Sequence, residues 1–398
     1  MPDASTAAAT RQSEPASGTL SLRALNRATL ERQMLLRRSP RSLSGRERSA
    51  AAHVMAAVEH LTGMQAQAPF PPYFGLWSRL EDFDPHELGR LILERRVVRI
   101  ALMRGTVHLV TADDALMLRP LTQPVLDRGL RTSRGAALAG VDLEQLAAIG
   151  RTLLEEKPRT NKELGPLLAR WWPDHDPSVL CAALRTVLPL VQVPPRGVWG
   201  AAGQATHTTV EHWLGRPLQA QPSLETMVLR YLAAYGPATV SDIQTWSGLT
   251  RLRPVVERLA RGDGPGAVRV FRDEQGRAVY DLPDAPRPDP DTPAPPRLLP
   301  EFDNVLLSYD ERTRILPEQY RKVVFGAKNG LMPATFLLDG FVAGTWKLTR
   351  ERHTATVVFH PFQRISRQDR DGLEQEATGL LEFAAADATT RQIRFEAP

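Results

Sequence analysis

The run Val97-Val98-Arg99-Ile100-Ala101-Leu102-Met103-Arg104-Gly105-Thr106-Val107-His108-Leu109-Val110 divides at Arg104-Gly105 into two segments rich in aliphatic and β-branched residues. That division predicts strands over 97–103 and 106–110 joined by a tight turn. Just upstream, 73–80 and 85–95 carry apolar residues at helical spacing and are separated by Phe83-Asp84. Short helices followed by a two-stranded hairpin make a winged helix. Further back, Leu20, Leu22, Leu25, Leu30, Met34 and Leu35 recur at helical intervals, which predicts a helix over 20–37. The Ala-rich segment 44–61 predicts another, with Gly63 as its C-terminal cap. Residues 1–19, rich in Ala, Ser and Thr, lack the apolar segment of a signal peptide and read as a disordered tail.

The same order of elements recurs downstream, and a repeated unit constrains a fold more than any one element does. A second copy has helices over 143–156, 162–171 and 177–188, with Thr160 as an N-cap. It continues with a strand over 190–193, a turn at Pro194-Pro195-Arg196-Gly197 and a strand over 198–200. In a third copy Ser223 caps a helix over 224–235, helices follow over 240–246 and 251–261, and strands over 268–271 and 278–282 flank the turn 273–276. Eight prolines among the eighteen residues 283–300 mark a semi-rigid linker. Beyond it, β-forming segments at 305–309, 334–338, 341–348 and 354–359, a turn at Asp339-Gly340, a helix over 367–385 and a strand over 392–395 predict a small barrel-like β domain. The expected class is α+β: three tandem winged-helix units (20–120, 121–215, 216–282), the linker 283–300, and a β-barrel-like domain over 301–398.

Composition sets the outer limits. The 398 residues are 42% hydrophobic and 24% charged, ordinary for a globular chain with well-filled cores. A net charge of +5 and a pI of about 9.6 are compatible with nucleic acid and do not by themselves identify it. One cysteine, Cys181, forms no internal disulfide and suits a reducing, cytoplasmic setting. No apolar run has the length of a membrane span, so no membrane partner is expected, and the chain is expected to be a monomer.

Nucleotide-binding glycine fingerprints, phosphate loops, serine elbows and paired-histidine zinc motifs are missing from the sequence. His53 with His60, and Asp174-His175-Asp176, lack a third ligand at metal spacing, so neither metal nor cofactor is expected. Asp113-Asp114 reads as a helix start. Arginines stand at or near the three candidate wing tips: Arg104, Arg196, and Arg272 with Arg277. Arg251, Arg253, Arg258 and Arg261 surround the last helix of the third copy. As a set they suit a surface that follows phosphates. Phe70, Tyr73, Phe74 and Trp77 are a potential base-stacking group, although their helical spacing favours a core. In Gln65-Ala66-Gln67, two carboxamides two residues apart in extended chain point to one side, where they can orient a water. They are too weakly basic to deprotonate it, so the pair suits a reaction whose leaving group is already activated.

The segments His60-Leu61-Thr62-Gly63-Met64-Gln65-Ala66-Gln67-Ala68-Pro69, Pro72-Tyr73-Phe74-Gly75-Leu76-Trp77, Met103-Arg104-Gly105-Thr106-Val107-His108-Leu109-Val110 and Leu298-Leu299-Pro300-Glu301-Phe302-Asp303-Asn304-Val305-Leu306-Leu307-Ser308-Tyr309 together resemble the AlkZ-like (YcaQ-like) bacterial DNA glycosylases that unhook interstrand crosslinks. The resemblance spans about residues 20–395. It implies three winged-helix units around a β-barrel and a catalytic Gln-x-Gln motif, matched by Gln65 and Gln67. It also implies a monofunctional glycosylase acting on double-stranded DNA that carries N7- or N3-alkylated purines. The double-glutamine form is similar to members from producers of DNA-alkylating natural products, which implies self-resistance.

On this reading Gln65 and Gln67 are catalytic, Arg104, Arg196, Arg251, Arg253 and Arg272 contact DNA, and a wing tip such as the one bearing Arg196 inserts beside the lesion. No lysine is placed for Schiff-base chemistry, so strand cleavage is not expected. The residues leave two alternatives: a non-catalytic winged-helix regulator, and a non-catalytic protein that binds lesions or sequesters a drug.

Overall fold

The computed structural model describes residues 18–43, 46–326 and 330–398. The run 97–110 forms its hairpin, Val97–Ala101 antiparallel to Val107–Thr111. Arg104 and Gly105 at the turn both lie in the left-handed region, at φ 56° and 71°. Helices Ala50–His60, Pro71–Trp77 and Pro85–Leu93 precede it. Ser49 caps the first of these, and Ser44 lies outside the described residues. The chain leaves that helix through Gly63 at φ 87°, where a Cβ would stand 2.4 Å from Val110 Cγ1. Only glycine lets Met64–Gln65 come off the helix directly onto the hairpin edge, with Gln65 paired to His108.

The hairpin does not end the sheet. Leu190–Gln192 bonds to the outer side of Val97–Ala101, followed by Thr206–Thr209 and Arg159–Thr160, so six antiparallel strands run through the first two helix sets without a break. Helix Ala112–Arg134, capped by Thr111, bridges those sets and spans the expected boundary at residue 120. Asp113 and Asp114 sit in its first turn, and Asp114 is ion-paired with Arg230.

Helices Leu143–Glu156, Asn161–Leu168 and Pro177–Val187 form where expected, with a capping box at Thr160 and Glu163. The expected strand over 198–200 does not form, and Thr206–Thr209 pairs with Leu190–Gln192 instead. Prolines 194 and 195, with Gly197 and Gly200 at positive φ, hold 194–200 in a loop.

Helices Leu224–Tyr235, Val240–Ser247 and Arg253–Ala260 lead into the hairpin Arg269–Asp273 and Ala278–Asp281. Thr19, expected in the tail, and Leu20, expected to open the first helix, instead form a strand that adds to that hairpin in parallel, and 1–17 of the expected tail lie outside the described residues. Helix Leu22–Arg32 is central rather than peripheral: Asn26, Arg27, Thr29 and Arg32 are all buried. Its charges meet partners from distant parts of the chain. Arg32 is bidentate on Asp281 at 2.6 and 2.9 Å, and Arg27 donates to Thr292 O in the Pro-rich segment and pairs with Asp339. The Pro-rich segment therefore wraps this helix, and its end, Arg297–Leu299, is already a strand.

The C-terminal region departs from a barrel. Its five strands, Arg297–Leu299, Thr335–Leu338, Phe341–Glu351, Thr354–Pro361 and Thr390–Phe395, form an open sheet whose first and last members are not bonded to each other. Helix Arg367–Ala384 lays Leu373, Ala377, Leu380 and Leu381 on Phe336, Trp346, Val357 and Phe359. Helix coverage buries the inner face that a barrel would bury by closing. Residues 305–309, read as a strand, begin instead as the short helix Asn304–Leu307, because the Asp303 carboxylate accepts the Val305 N–H at 3.0 Å and starts a turn.

Candidate active site

The strand Met64–Gln65 places Gln65 in the interior, with 7% of its surface exposed, while Gln67 just beyond is exposed. The Gln65 N–H donates to Asn304 Oδ1 at 3.2 Å, and Asn304 Nδ2 donates to Gly63 O at 3.2 Å, so the C-terminal region braces the motif from behind. Arg104 Nη2 donates to Gln65 Oε1 at 2.7 Å. The Ala66 N–H donates to Val107 O at 2.7 Å, and the Val107 N–H donates to Gln67 Oε1 at 3.2 Å. Arg99, 1% exposed, donates to Ala66 O at 2.8 Å, to Pro69 O at 3.3 Å and to Gln192 Oε1 at 3.2 Å. A half-buried arginine and a buried one thus bracket the motif, Arg104 on a side chain and Arg99 on the backbone. Burial pulls both guanidinium groups down to about 10.

His108 is fully buried opposite Gln65. Its Nδ1 faces Thr106 O at 3.0 Å and must carry the proton, which leaves Nε2 bare toward Arg104 Nη2 at 3.4 Å. Burial first, then the neighbouring Arg104 charge, depress this histidine to about 3. It is a neutral acceptor.

The two glutamine residues border different spaces. Gln65 borders a hollow of about 10 Å³ together with Arg79, Tyr235, Asp303 and Asn304, at the lower limit for one water. Gln67 borders a groove of about 250 Å³ running between the first two helix sets. Ile100, Val107, Leu126 and Leu190 give that groove apolar walls, Gln192 and His207 give it polar edges, and Arg134 and Arg185 supply positive charge. Among the described residues no carboxylate lines it. His207, 4% exposed, is depressed to about 4 by burial and by Arg185 and Arg196.

The five arginines expected on DNA are distributed unequally. Arg251 and Arg253 are exposed at the start of their helix, with Glu257 3.4 Å from Arg253. Arg272 is exposed and donates to Gly276 O. Arg104 instead turns inward, binding Trp246 O at 2.6 Å as well as Gln65. Arg196 is half-buried and donates to Gly203 O at 3.1 Å. Its loop is docked on the protein itself: the Tyr73 hydroxyl donates to Gly197 O at 2.7 Å, and Trp199 packs against Phe70, Tyr73, Phe74 and Phe383. The aromatic group read from sequence is therefore core. Residues not anticipated are Arg99, His108, Asn304, His207 and the exposed row Arg128, Arg131, Arg134, which recurs every three residues on the helix Ala112–Arg134. That row was readable as spaced cations, whereas the buried partners carry no signal in a single sequence. Among the described residues no group of three His, Cys, Asp or Glu is placed to hold a metal, and no helix is long and apolar enough to cross a membrane.

A family model described as DNA glycosylase AlkZ-like matches residues 58–383. The chain is 26% identical over 351 residues to an interstrand DNA cross-link repair glycosylase of Streptomyces sahachiroi, a match covering 80% of this chain and 88% of that protein. In fold it matches the solved Streptomyces sahachiroi DNA glycosylase AlkZ with a TM-score of 0.75 at 21% identity, over 95% of this chain and all of that one. These matches define the class, and the protein is a DNA glycosylase. The chain belongs to the AlkZ-like family of these enzymes.

Proposed function

We propose that this glycosylase hydrolyses the N-glycosidic bond of purines alkylated at N7 or N3, that Gln65 and Gln67 hold the attacking water, and that its substrates include interstrand crosslinks. The observation that carries this reading is the fixation of the motif. Asn304, Arg104, Arg99 and Val107 anchor three consecutive residues, yet Gln67 stays exposed beside a basic groove.

Alkylation at N7 or N3 puts positive charge on the base, which then leaves without being protonated. The remaining work is to place a water against C1′ and to stabilise the cationic sugar with fixed dipoles. Anchored carboxamides suit that work: each Oε1 accepts one protein bond and keeps a lone pair for water. Water is the nucleophile, an abasic site is the product, and each winged-helix unit contributes to the DNA-facing surface.

Duplex DNA would be held by the exposed row Arg128, Arg131 and Arg134, with Arg185 at the groove and Arg251 and Arg253 nearby. Arg128 donates to Gly248 O, so the row adjoins the segment that carries Arg251. An open groove tolerates a nucleotide tethered to the opposite strand better than a closed pocket does. The named Streptomyces sahachiroi relative supports crosslink repair, and self-resistance to a DNA-alkylating natural product is the setting we infer. The protein would act as a cytoplasmic monomer.

The test is release of N7-methylguanine from methylated duplex, and unhooking of a nitrogen-mustard crosslink, by wild-type protein and by the Gln65→Ala, Gln67→Ala double variant. Binding is measured in parallel at fixed salt. Release that vanishes in the variant while binding persists supports the reading. Undiminished release by the variant, or a borohydride-trapped protein–DNA adduct, overturns it.

A further inference from the structure

We propose that Arg104 is a positioning residue for the Gln65 carboxamide rather than a phosphate contact. The inference rests on Gln65 being a water-holding group. A left-handed backbone at the hairpin turn, φ 56°, turns the Arg104 side chain into the protein. There one face of the guanidinium meets three acceptors: Trp246 O at 2.6 Å, Gln65 Oε1 at 2.7 Å and His108 Nε2 at 3.4 Å.

A guanidinium only donates, so the Gln65 atom facing it has to be the oxygen, and the amide nitrogen has to face away. His108 enforces the same choice. Its proton is committed to Thr106 O, which leaves an acceptor toward Arg104 and no donor with which to compete for Gln65. Among the described residues the Gln65 Nε2 group has no protein partner, and it is not sealed from solvent. Arg104 therefore decides which end of a symmetric-shaped group is presented. It also ties that end to Trp246, a fully buried residue of a different helix set.

The arrangement is costly for a residue with only a packing role. Among the described residues no carboxylate is ion-paired with Arg104, and a half-buried cation whose electrostatic neighbours include Arg312 but no carboxylate is unfavourable. A methionine of similar length would fill the space more cheaply, but it would leave the carboxamide free to flip.

The experiment is a double-mutant cycle on single-turnover N7-methylguanine release, using wild type, Arg104→Met, Gln65→Ala and the combined variant, with DNA affinity measured across salt. Arg104→Met is expected to slow release at least about tenfold while affinity and its salt slope stay unchanged. Added to Gln65→Ala, it is expected to change the rate by less than about twofold, because the group it positions is gone. Arg104→Lys, which keeps one donor, should recover part of the rate. If Arg104→Met does not fold, the same cycle run with Arg104→Lys decides the matter.

Multiplicative losses in the combined variant overturn the role, as does weakened binding with a salt slope smaller by about 0.9, the signature of one phosphate no longer neutralised. A Gln65→Ala protein with wild-type release has a different meaning: it overturns the reading of the motif and takes the role of Arg104 with it.

Discussion

Gln65 and Gln67 are chemically identical, yet one is sheltered and held by a cation while the other is exposed and held by a backbone amide. On the proposed reading, losing either removes a preorganised hydrogen-bonding group from the water's site. Gln65→Ala and Gln67→Ala are each expected to lower single-turnover base release about 100-fold or more, with binding retained. His108 leads to a pH prediction. The folded protein keeps this histidine neutral down to about 3, whereas an unfolded histidine takes its proton near 6.5. Between those values the unfolded chain binds more protons, so stability is complete above about 6.5 and declines as the pH falls toward 3. The slope approaches about 1.4 kcal/mol per pH unit for such a group, and urea midpoints of His108→Asn should fall less steeply between pH 6 and 4 than those of wild type. The extended chain at Gln65 was legible in the sequence, and the structure has it as the strand Met64–Gln65. Arg104 was not, since an arginine at a turn looks the same in sequence whether its backbone directs it to solvent or inward.

At the scale of elements, the second set's loop shows how a wing-like segment becomes part of a core. Gly197, at φ 90°, sits where a Cβ would come within 2.8 Å of Arg99 Cδ, and Arg99 holds the carbonyl of Ala66. Gly197→Ala combines backbone strain with displacement of that arginine. It is expected to cost about 1–3 kcal/mol in denaturant unfolding and to slow base release although it lies outside the motif. The turn signal at Pro194-Pro195-Arg196-Gly197 was correctly legible, but the destination of the loop was not. Trp199 finds its partners on Tyr73 and Phe383, far away in the chain, and no local pattern encodes such a meeting. Helix spans were read to within a few residues wherever a cap residue preceded an apolar stripe, as at Ser223 and Thr160. Residues 305–309 were misread because aliphatic residues in a short run suit either state, and the Asp303 cap decides between them.

Over the whole molecule, the arginines divide into a structural set and a surface set, and salt distinguishes them. Replacing Arg128, Arg131, Arg134 and Arg185 with Gln should lower the slope of log K for duplex DNA against log salt by about 0.9 for each phosphate that is no longer neutralised. The structural set answers to stability instead. Asp281→Asn removes the counter-charge from fully sheltered Arg32 and should cost about 3–5 kcal/mol, read from the urea midpoint. The α+β class was legible from periodicity and turn residues, as were the hairpins over 97–111 and 269–281, but the second copy's hairpin partner was not, since 198–200 stays a loop and Thr206–Thr209 pairs instead. The open C-terminal sheet was not, since alternation shows that a strand has a buried face and not whether a helix or another strand covers it.

The unbroken six-stranded sheet places the strand bearing Gln65 and the strand bearing His207 on one hydrogen-bonded frame. The opening between the glutamine edge and the far wall is consequently a dimension set during folding, like the gap of a fixed caliper. If the proposed reading holds and that frame stays fixed, the bending and unstacking that bring a tethered purine to Gln67 fall to the nucleic acid, and sequences that deform readily are expected to be processed faster than stiff ones, which release rates on crosslinked duplexes of differing flexibility would check.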